Sequence, residues 1–341
     1  WVSQVGMLLG TAVYVNAGVE LGELSSLGGL LSADLILSFV LLAAMPWVGK
    51  AVVAIIRRNR LAKAYKKPAK YDTNLVVIGA GSGGLVASIV AAGAQASVTL
   101  IEKHKMGGDC LNTGCVPSKS LIASAKVAET IRQAEAFGIN GASGQVDFAA
   151  VMERVQRVIK TIEPHDSVER FTSLGVDCVQ GEAVIRSPWS VEVNGRTINP
   201  RAIIVATGAR PMIPEVPGLA DINYLHSDNV WELRELPRRL LVLGGGPIGC
   251  ELAQAFARLG SEVTVLDRSA HLMGREDEDA SEMVEQAFRE RGIRLLLGHE
   301  MKMFQSGESG DQLTAAAPDG TLTEIGFDKV LVALGRKPNV E

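Results

Sequence analysis

The sequence predicts an α/β fold: two doubly wound parallel-sheet domains behind an α-helical membrane segment. Three observations predict it. Two glycine-rich loops, 79–84 and 244–249, each lie between a short apolar run and a helix-like run. Each is followed by a second short apolar run that ends in an acid, Glu102 and Asp267 respectively. The first 56 residues, by contrast, are almost free of charge and give way to a basic cluster. A chain of 341 residues has room for about two or three domains, and its 36 glycines suit the tight turns of α/β units.

The N-terminal element comes first. Residues 1–56 carry only Glu20, Glu23, Asp34 and Lys50 as charged side chains. From 35 to 48 the run is apolar apart from Ser38 and Pro46, and 51–56 continues it beyond Lys50. A spanning helix needs about 20 apolar residues. The stretch 35–56 qualifies if Pro46 is tolerated and Lys50 reaches the interface. The competing reading is a buried helix of a soluble domain. Against it stands the linker 57–70, where Arg57, Arg58, Arg60, Lys63, Lys66, Lys67 and Lys70 occur without an acid. This positive-inside signal makes lipid the expected partner of 1–56 and places everything downstream on the cytoplasmic side. The order, apolar first and basic after, excludes a secretory signal peptide. The formal charge of −4 hides the asymmetry: with +7 on the linker and −2 on 1–56, residues 71–341 carry −9. Nothing in that balance points to nucleic acid. Trp1 at the start, and Glu341 just after a strand-like run, lead to the expectation of a fragment cut at both ends.

After the linker the pattern becomes regular. Residues 74–78 and 98–101 read as buried strands around a small-residue helix at 83–92. Residues 118–136 and 148–162 have helical spacing. Residues 184–200 alternate around Asn194-Gly195, a hairpin signal, and 202–205 is a further strand. A second cycle follows: strand 240–243, helix 248–259, strand 262–266, helix 281–291, strand 294–297, a hairpin region, then strand 329–334.

The loops carry the first chemistry. Gly79 permits the tight turn, Gly81 lets a pyrophosphate approach the backbone, and Gly84 lets helix and strand pack closely. The helix N-terminus adds N–H groups and a positive dipole end. Glu102 has the spacing of an acid that bonds ribose hydroxyls. Gly244, Gly246 and Gly249 repeat the arrangement with Asp267, which favours the free 2′-hydroxyl of NADH over the phosphate of NADPH. Arg268, adjacent, keeps NADPH possible. Two loops, each with its acid, predict two Rossmann-like nucleotide-binding domains.

Four cysteines in a chain of this length are not a secreted disulfide framework. Cys178 and Cys250 are isolated and are expected to be buried small apolar residues. Cys110 and Cys115 lie close together in Gly-Gly-Asp-Cys-Leu-Asn-Thr-Gly-Cys-Val-Pro-Ser-Lys, 107–119. Pro117 suits the first turn of a helix, so Cys115 is expected near a helix N-terminus, where a thiolate is stabilised. A metal site usually needs two further ligands, and only His104 is close in sequence, so no metal is expected. His165, His226, His271 and His299 fall into no nucleophile or acid constellation.

The 107–119 segment resembles the signature of the class I pyridine nucleotide-disulfide oxidoreductases, which include dihydrolipoamide dehydrogenase, glutathione reductase and mercuric reductase. Residues 102–106, Ala206-Thr207-Gly208 and the run 332–339 match as well. The resemblance covers about residue 72 to the end. It implies FAD and NADH (or NADPH) as cofactors, Cys115 as the thiol facing the flavin, and Cys110 as the thiol exchanging with a small-molecule, dithiol or disulfide acceptor. It implies Lys119 beside the flavin, Glu251 paired with it near the nicotinamide, and cofactor contacts at Ala183, Thr207, Gly208 and Gly335. It further implies a homodimer for the full-length protein. The family places another flavin motif and a dimerisation domain with a His-Glu acid/base pair after the second nucleotide domain. Both are expected to be absent here, so this stretch alone is expected to bind FAD poorly and turn over little.

Residues 1–56 resemble the C-terminal end of the VTT family of SNARE-associated, DedA-like membrane proteins, on the run 10–18 and the final apolar helix with its basic exit. The expected organisation is a membrane segment at 1–56, a basic linker at 57–70, an incomplete FAD-binding domain at 71–236 and an NAD(P)-binding domain at 237–341. The expected function is transfer of electrons from NAD(P)H through FAD to the Cys110–Cys115 disulfide and on to an acceptor. Two alternatives stand beside it: an NADH:quinone or metal-ion reductase, and a transport or lipid-handling protein whose redox domain only senses.

Overall fold

A computed structural model describes residues 11, 14–16, 18–19, 33–307 and 310–341. The chain divides into two compact units: residues up to Lys70 with Ser187–Trp189, and Tyr71–Arg186 with Ser190–Glu341. In the first, helix α1 spans Ala33–Ala64 with Pro46 inside it. Along it Ile36, Leu37, Phe39, Val40, Trp47, Val48, Val52, Val53, Ile55 and Ile56 are exposed. Among the described residues no helix is long and apolar enough to cross a membrane. The spanning role expected of 1–56 therefore gains no support from them. Pro46 and Lys50 interrupt the run, and the side chains of Leu35, Leu41 and Leu42 lie outside the described set. Most of the 10–18 run lies outside it too.

The second unit holds two parallel sheets of the same design. The first is built from β1 (Thr73–Ile78), β2 (Val98–Glu102), β3 (Val176–Gln180) and β7 (Pro200–Val205), in the order β3-β2-β1-β7. The second uses β9 (Arg239–Leu243), β10 (Glu262–Asp267), β11 (Arg294–Leu297) and β15 (Lys329–Val332), in the order β11-β10-β9-β15. Val77 pairs with Leu100 and Ile204 in one, and Val242 with Val265 and Leu331 in the other. The central strands β1 and β9 are nearly continuous apolar runs because helices or other chain cover both faces. Helix α2 (Ser82–Gly93) follows β1, and α7 (Pro247–Leu259) follows β9.

Between β2 and β3 run α3 (Gly108–Asn112), α4 (Cys115–Arg132), α5 (Phe148–Ile162) and the short α6 (Val168–Ser173). Leu121 and Ala125 of α4, Met152 and Val155 of α5, and Ala253 and Phe256 of α7 share one buried cluster. The Phe148 and Phe256 rings lie 5.8 Å apart. This packing joins the first nucleotide-binding half to the second. It fixes α4 against α7, which positions the site. Strands β5 (Ser190–Val193) and β6 (Arg196–Ile198) pair antiparallel across Asn194 and Gly195, at φ 51° and 74°, as the hairpin signal predicts.

Several boundaries differ from those the sequence predicts. Helix α4 opens at Cys115 rather than at 118. The first turn of a helix has no intrahelical acceptor for its amides, so Pro117 fits there without losing a bond. Helix α8 (Glu278–Glu290) likewise begins earlier than 281. The 298–328 hairpin region is a three-stranded sheet of β12 (Glu300–Gln305), β13 (Asp311–Ala316) and β14 (Leu322–Phe327). Cys250 is buried as expected, but Cys178 is only half-buried. It sits in β3, the last strand of its sheet, where one edge lacks a neighbour.

Candidate active site

Each glycine loop is shaped by contacts that exclude a side chain. Gly79 stands at φ +101°, and a Cβ there would lie 2.3 Å from the Ala206 carbonyl oxygen. A Cβ on Gly84 would lie 1.8 Å from the Gly79 oxygen, so α2 presses directly on the turn. In the second loop Gly244 and Gly249 repeat this, with approaches of 2.5 Å to the Ala333 oxygen and 2.0 Å to the Gly244 oxygen. Helix α2 is capped by Gly81 and α7 by Gly246, neither with a side-chain bond, so their first amides remain open to an anion.

The two acids sit alike. Glu102 accepts from the Ala80 and His104 amides, both at 2.7 Å. Asp267 accepts from Gly245 N at 2.6 Å and Ser269 N at 2.7 Å. Each carboxylate is thereby locked beside its loop and retains lone pairs for ribose hydroxyls. The two cradles fit two dinucleotides. Among the described residues no group of three or more His, Cys, Asp or Glu side chains is placed to hold a metal ion.

The cysteine loop is fastened to the first cradle. Gly107 N donates to Ala80 O at 2.9 Å, and a Cβ on Gly81 would stand 3.8 Å from the Gly108 Cα. Gly107 is left-handed and turns the chain into α3, which carries Cys110. Asn112 stabilises that turn by donating to Met106 O at 3.0 Å and Gly108 O at 2.8 Å. Cys115 then opens α4 as its first residue. Both are free thiols, Cys110 half-buried and Cys115 exposed. A side-chain hydrogen bond to Cys115, together with burial, pushes the Cys110 thiol up to about 11.

One turn further along α4, Lys119 Nζ donates to both oxygens of Glu251 on α7, at 2.7 and 2.5 Å. This pair links the two nucleotide-binding halves beside the cysteines. Both partners are substantially exposed, so it adds little to stability and its interest is positional.

Thr207 Oγ1 donates to Asn339 O at 2.6 Å, and Asn339 Nδ2 donates back to Thr207 O at 2.9 Å. Asn339 N also donates to Gly208 O, at 3.0 Å, while Gly335 O accepts from Met212 N at 3.0 Å. Strands β8 (Ala209–Pro211) and β16 (Arg336–Pro338) pair antiparallel alongside. The structure thus joins the 206–208 and 335–339 motifs, which lie far apart in sequence. Ala183 stands apart from them, packed on the cluster that holds Val76, Ile78 and Ile101.

The profile of the pyridine nucleotide-disulphide oxidoreductases matches residues 73–341. The chain belongs to that family. A mercuric reductase of Staphylococcus aureus is 34% identical over 271 residues, covering 79% of this chain and 49% of the relative. A dihydrolipoyl dehydrogenase of Chlamydia muridarum is 37% identical over 272 residues, covering 78% and 57%. Among solved structures, the HOCl-induced flavoprotein disulfide reductase RclA from Escherichia coli superposes with a TM-score of 0.66 at 28% identity. That superposition covers 78% of this chain and 57% of RclA. The chain spans about half the length of the curated relatives it matches. The match to the pyridine nucleotide-disulphide oxidoreductases begins at residue 73, so the likeness of 1–56 to the VTT family rests on sequence alone.

Sequence reasoning missed the contacts of five members of this neighbourhood. Arg336 bonds Asp109 and Ser227, and Trp231 bonds Thr113. Arg336 lay within a matched motif, but nothing in the sequence announced its partners.

Proposed function

We propose that the chain carries an FAD-dependent oxidoreductase that passes electrons from NAD(P)H to a Cys110–Cys115 disulfide and on to a small acceptor. The observation that carries this reading is the placement of the segment bearing Cys110 and Cys115 against the first glycine loop, with Lys119 and Glu251 bridging to the second half. Bound FAD supplies two-electron transfer between the nicotinamide and the cysteines. The protein's own residues do the rest. The first loop and Glu102 hold the flavin nucleotide, the second loop and Asp267 hold the pyridine nucleotide, and the Lys119–Glu251 pair fixes α4 against α7. Reducing the disulfide takes two electrons and two protons and leaves two thiols. Cys110, kept protonated at neutral pH by its raised pKa, must lose its proton before it attacks an acceptor. Disulfides and mercuric ion are the acceptor classes that the relatives' names support. A homodimer is part of the proposal for the full-length protein. The test is NADH-dependent reduction of a small disulfide and of mercuric ion by the full-length protein, and no turnover of either would contradict the reading.

NADH is the expected donor. Asp267 is held beside the second loop with its charge towards the ribose position, and a 2′-phosphate there would meet a like charge. Flavin reduction with NADH is expected to be roughly tenfold or more faster than with NADPH, measured by stopped flow. A preference for NADPH would mean that exposed Arg268 governs the site.

We further propose that α1 contacts lipid and holds the enzyme at the cytoplasmic face of a membrane. Ten exposed large apolar side chains among its described residues support this, together with the basic exit at 57–70. Each basic group near an anionic surface adds about 1 kcal/mol of attraction. After an alkaline carbonate wash, the chain is expected in the membrane pellet and a form starting at Lys70 in the supernatant. A long form that is monodisperse without detergent would end the tethering idea.

A further inference from the structure

The segment from Asp109 to Cys115 is held near both ends by side chains from distant parts of the chain. At the front, Asp109, the residue before Cys110, accepts from Arg336 Nη2 at 2.5 Å. The same guanidinium donates to the Ser227 hydroxyl at 3.0 Å and to the Ala209 carbonyl. At the back, the carbonyl of Thr113, two residues before Cys115, accepts from the Trp231 indole N–H at 2.9 Å. That N–H is shared with the Ser227 carbonyl at 2.7 Å, so Ser227 ties the two anchors into one network.

An isolated surface ion pair contributes little, because two flexible side chains must be ordered for a screened attraction. This pair differs in its cation. The Arg336 side chain is only 25% exposed and is already ordered by Ser227 and Ala209. Pairing therefore orders only the short Asp109 side chain. Trp231 is buried at 4% exposure, so its N–H points in a fixed direction. The Asp109 carboxyl is pushed up overall, chiefly by burial; Arg336 opposes that rise and Asp228 adds to it, so Arg336 is the neighbour that favours the charged form.

We propose that Asp109–Arg336 and Trp231–Thr113 form a two-point clamp of positioning residues that fixes the approach of Cys110 to Cys115 and so sets their disulfide/dithiol equilibrium. The proposal rests on the reading of these cysteines as the redox pair. The physical link is effective concentration. A loop pinned at both ends keeps one sulfur near the other, and loosening it lowers the local concentration that favours the S–S bond. In exchange with dithiothreitol, the Cys110–Cys115 bond breaks and the reagent's cyclic S–S bond forms. Two electrons and two protons pass from the reagent to the pair.

The experiment equilibrates the full chain in dithiothreitol redox buffers, traps thiols with N-ethylmaleimide and counts the Cys110–Cys115 disulfide by mass spectrometry. Asp109→Ala is expected to move the exchange constant at least tenfold towards the dithiol, which is about 30 mV for a two-electron couple. Arg336→Ala should move it at least as far, because it also frees Ser227 and Ala209, and the double variant should move it no further than Arg336→Ala alone, because the Asp109 contact is already lost. Trp231→Phe, which keeps an aromatic side chain of smaller size and loses the donor, gives the same reading independently should Asp109→Ala fail to fold. A shift smaller than tenfold, or one towards the disulfide, overturns the clamp while leaving the redox pair intact. A wild-type chain that forms no Cys110–Cys115 disulfide in any buffer overturns the redox reading itself.

Discussion

Replacing either Cys110 or Cys115 by serine is expected to lower NADH-driven reduction of a disulfide or mercuric acceptor by roughly a thousandfold or more, since each residue is part of one covalent relay. The two losses should differ in kind. Cys110 is the half-buried member, protonated at neutral pH, and its pKa is raised first by its bond to Cys115. Cys115→Ala removes that bond outright, so Cys110 should alkylate faster at neutral pH in Cys115→Ala than in the reduced wild type. The resemblance assigns Cys115 to the flavin side. Cys110→Ser should therefore show long-wavelength thiol–flavin absorbance without any reductant, and Cys115→Ser should never show it. Cys178→Ser, a near-isosteric change at a half-buried position in the outermost strand β3, is the control and should leave the rate within about twofold. Equal spectra for the two active-site variants would mean that their roles have been misassigned.

The second large effect separates the two cradles. A Cβ on Gly84 meets the Gly79 carbonyl oxygen at 1.8 Å, and one on Gly249 meets the Gly244 oxygen at 2.0 Å. Both obstacles are backbone, so no rotamer change relieves them. Either helix must move off its loop, at a cost of about 1–3 kcal/mol or more. Gly84→Ala is expected to lower bound FAD at least about tenfold, seen as lost flavin absorbance per chain, because 1.4 kcal/mol is already a factor of ten. Gly249→Ala should keep its flavin, yet its reduction by NADH should require at least about tenfold more nucleotide. Loss of flavin from both variants to the same degree would indicate general misfolding rather than two sites.

The parts of this site that were legible in the sequence are those whose demands are local. A tight turn, a close helix–strand approach and an acid at the end of the next strand all fall within about thirty residues, and each restricts the residue type at a known offset. Cys110, Cys115 and Pro117 were legible for the same reason. What stayed hidden depends on contacts across the chain. Trp231 reaches Thr113 over 118 residues, and Arg336 reaches Asp109 over 227. No periodicity encodes such meetings. Strand β3 was missed because Val-Asp-Cys-Val-Gln ends a sheet and shows a mixed burial pattern rather than a continuous apolar run. The apolar spacing of α4 becomes regular only from 118, so its first turn is legible from Pro117 alone, which places Cys115 at the helix start.

The most direct measurement counts thiols. The full-length protein, oxidised and holding its flavin, is mixed anaerobically with one equivalent of NADH, quenched with N-ethylmaleimide and mapped by mass spectrometry. The account predicts that Cys110 and Cys115 start as one disulfide and end as two labelled thiols. Cys178 and Cys250 should be unchanged in redox state. Bleached flavin with the Cys110–Cys115 pair unaltered would show that electrons leave by another route, and the assignment of this pair as the redox centre would be wrong.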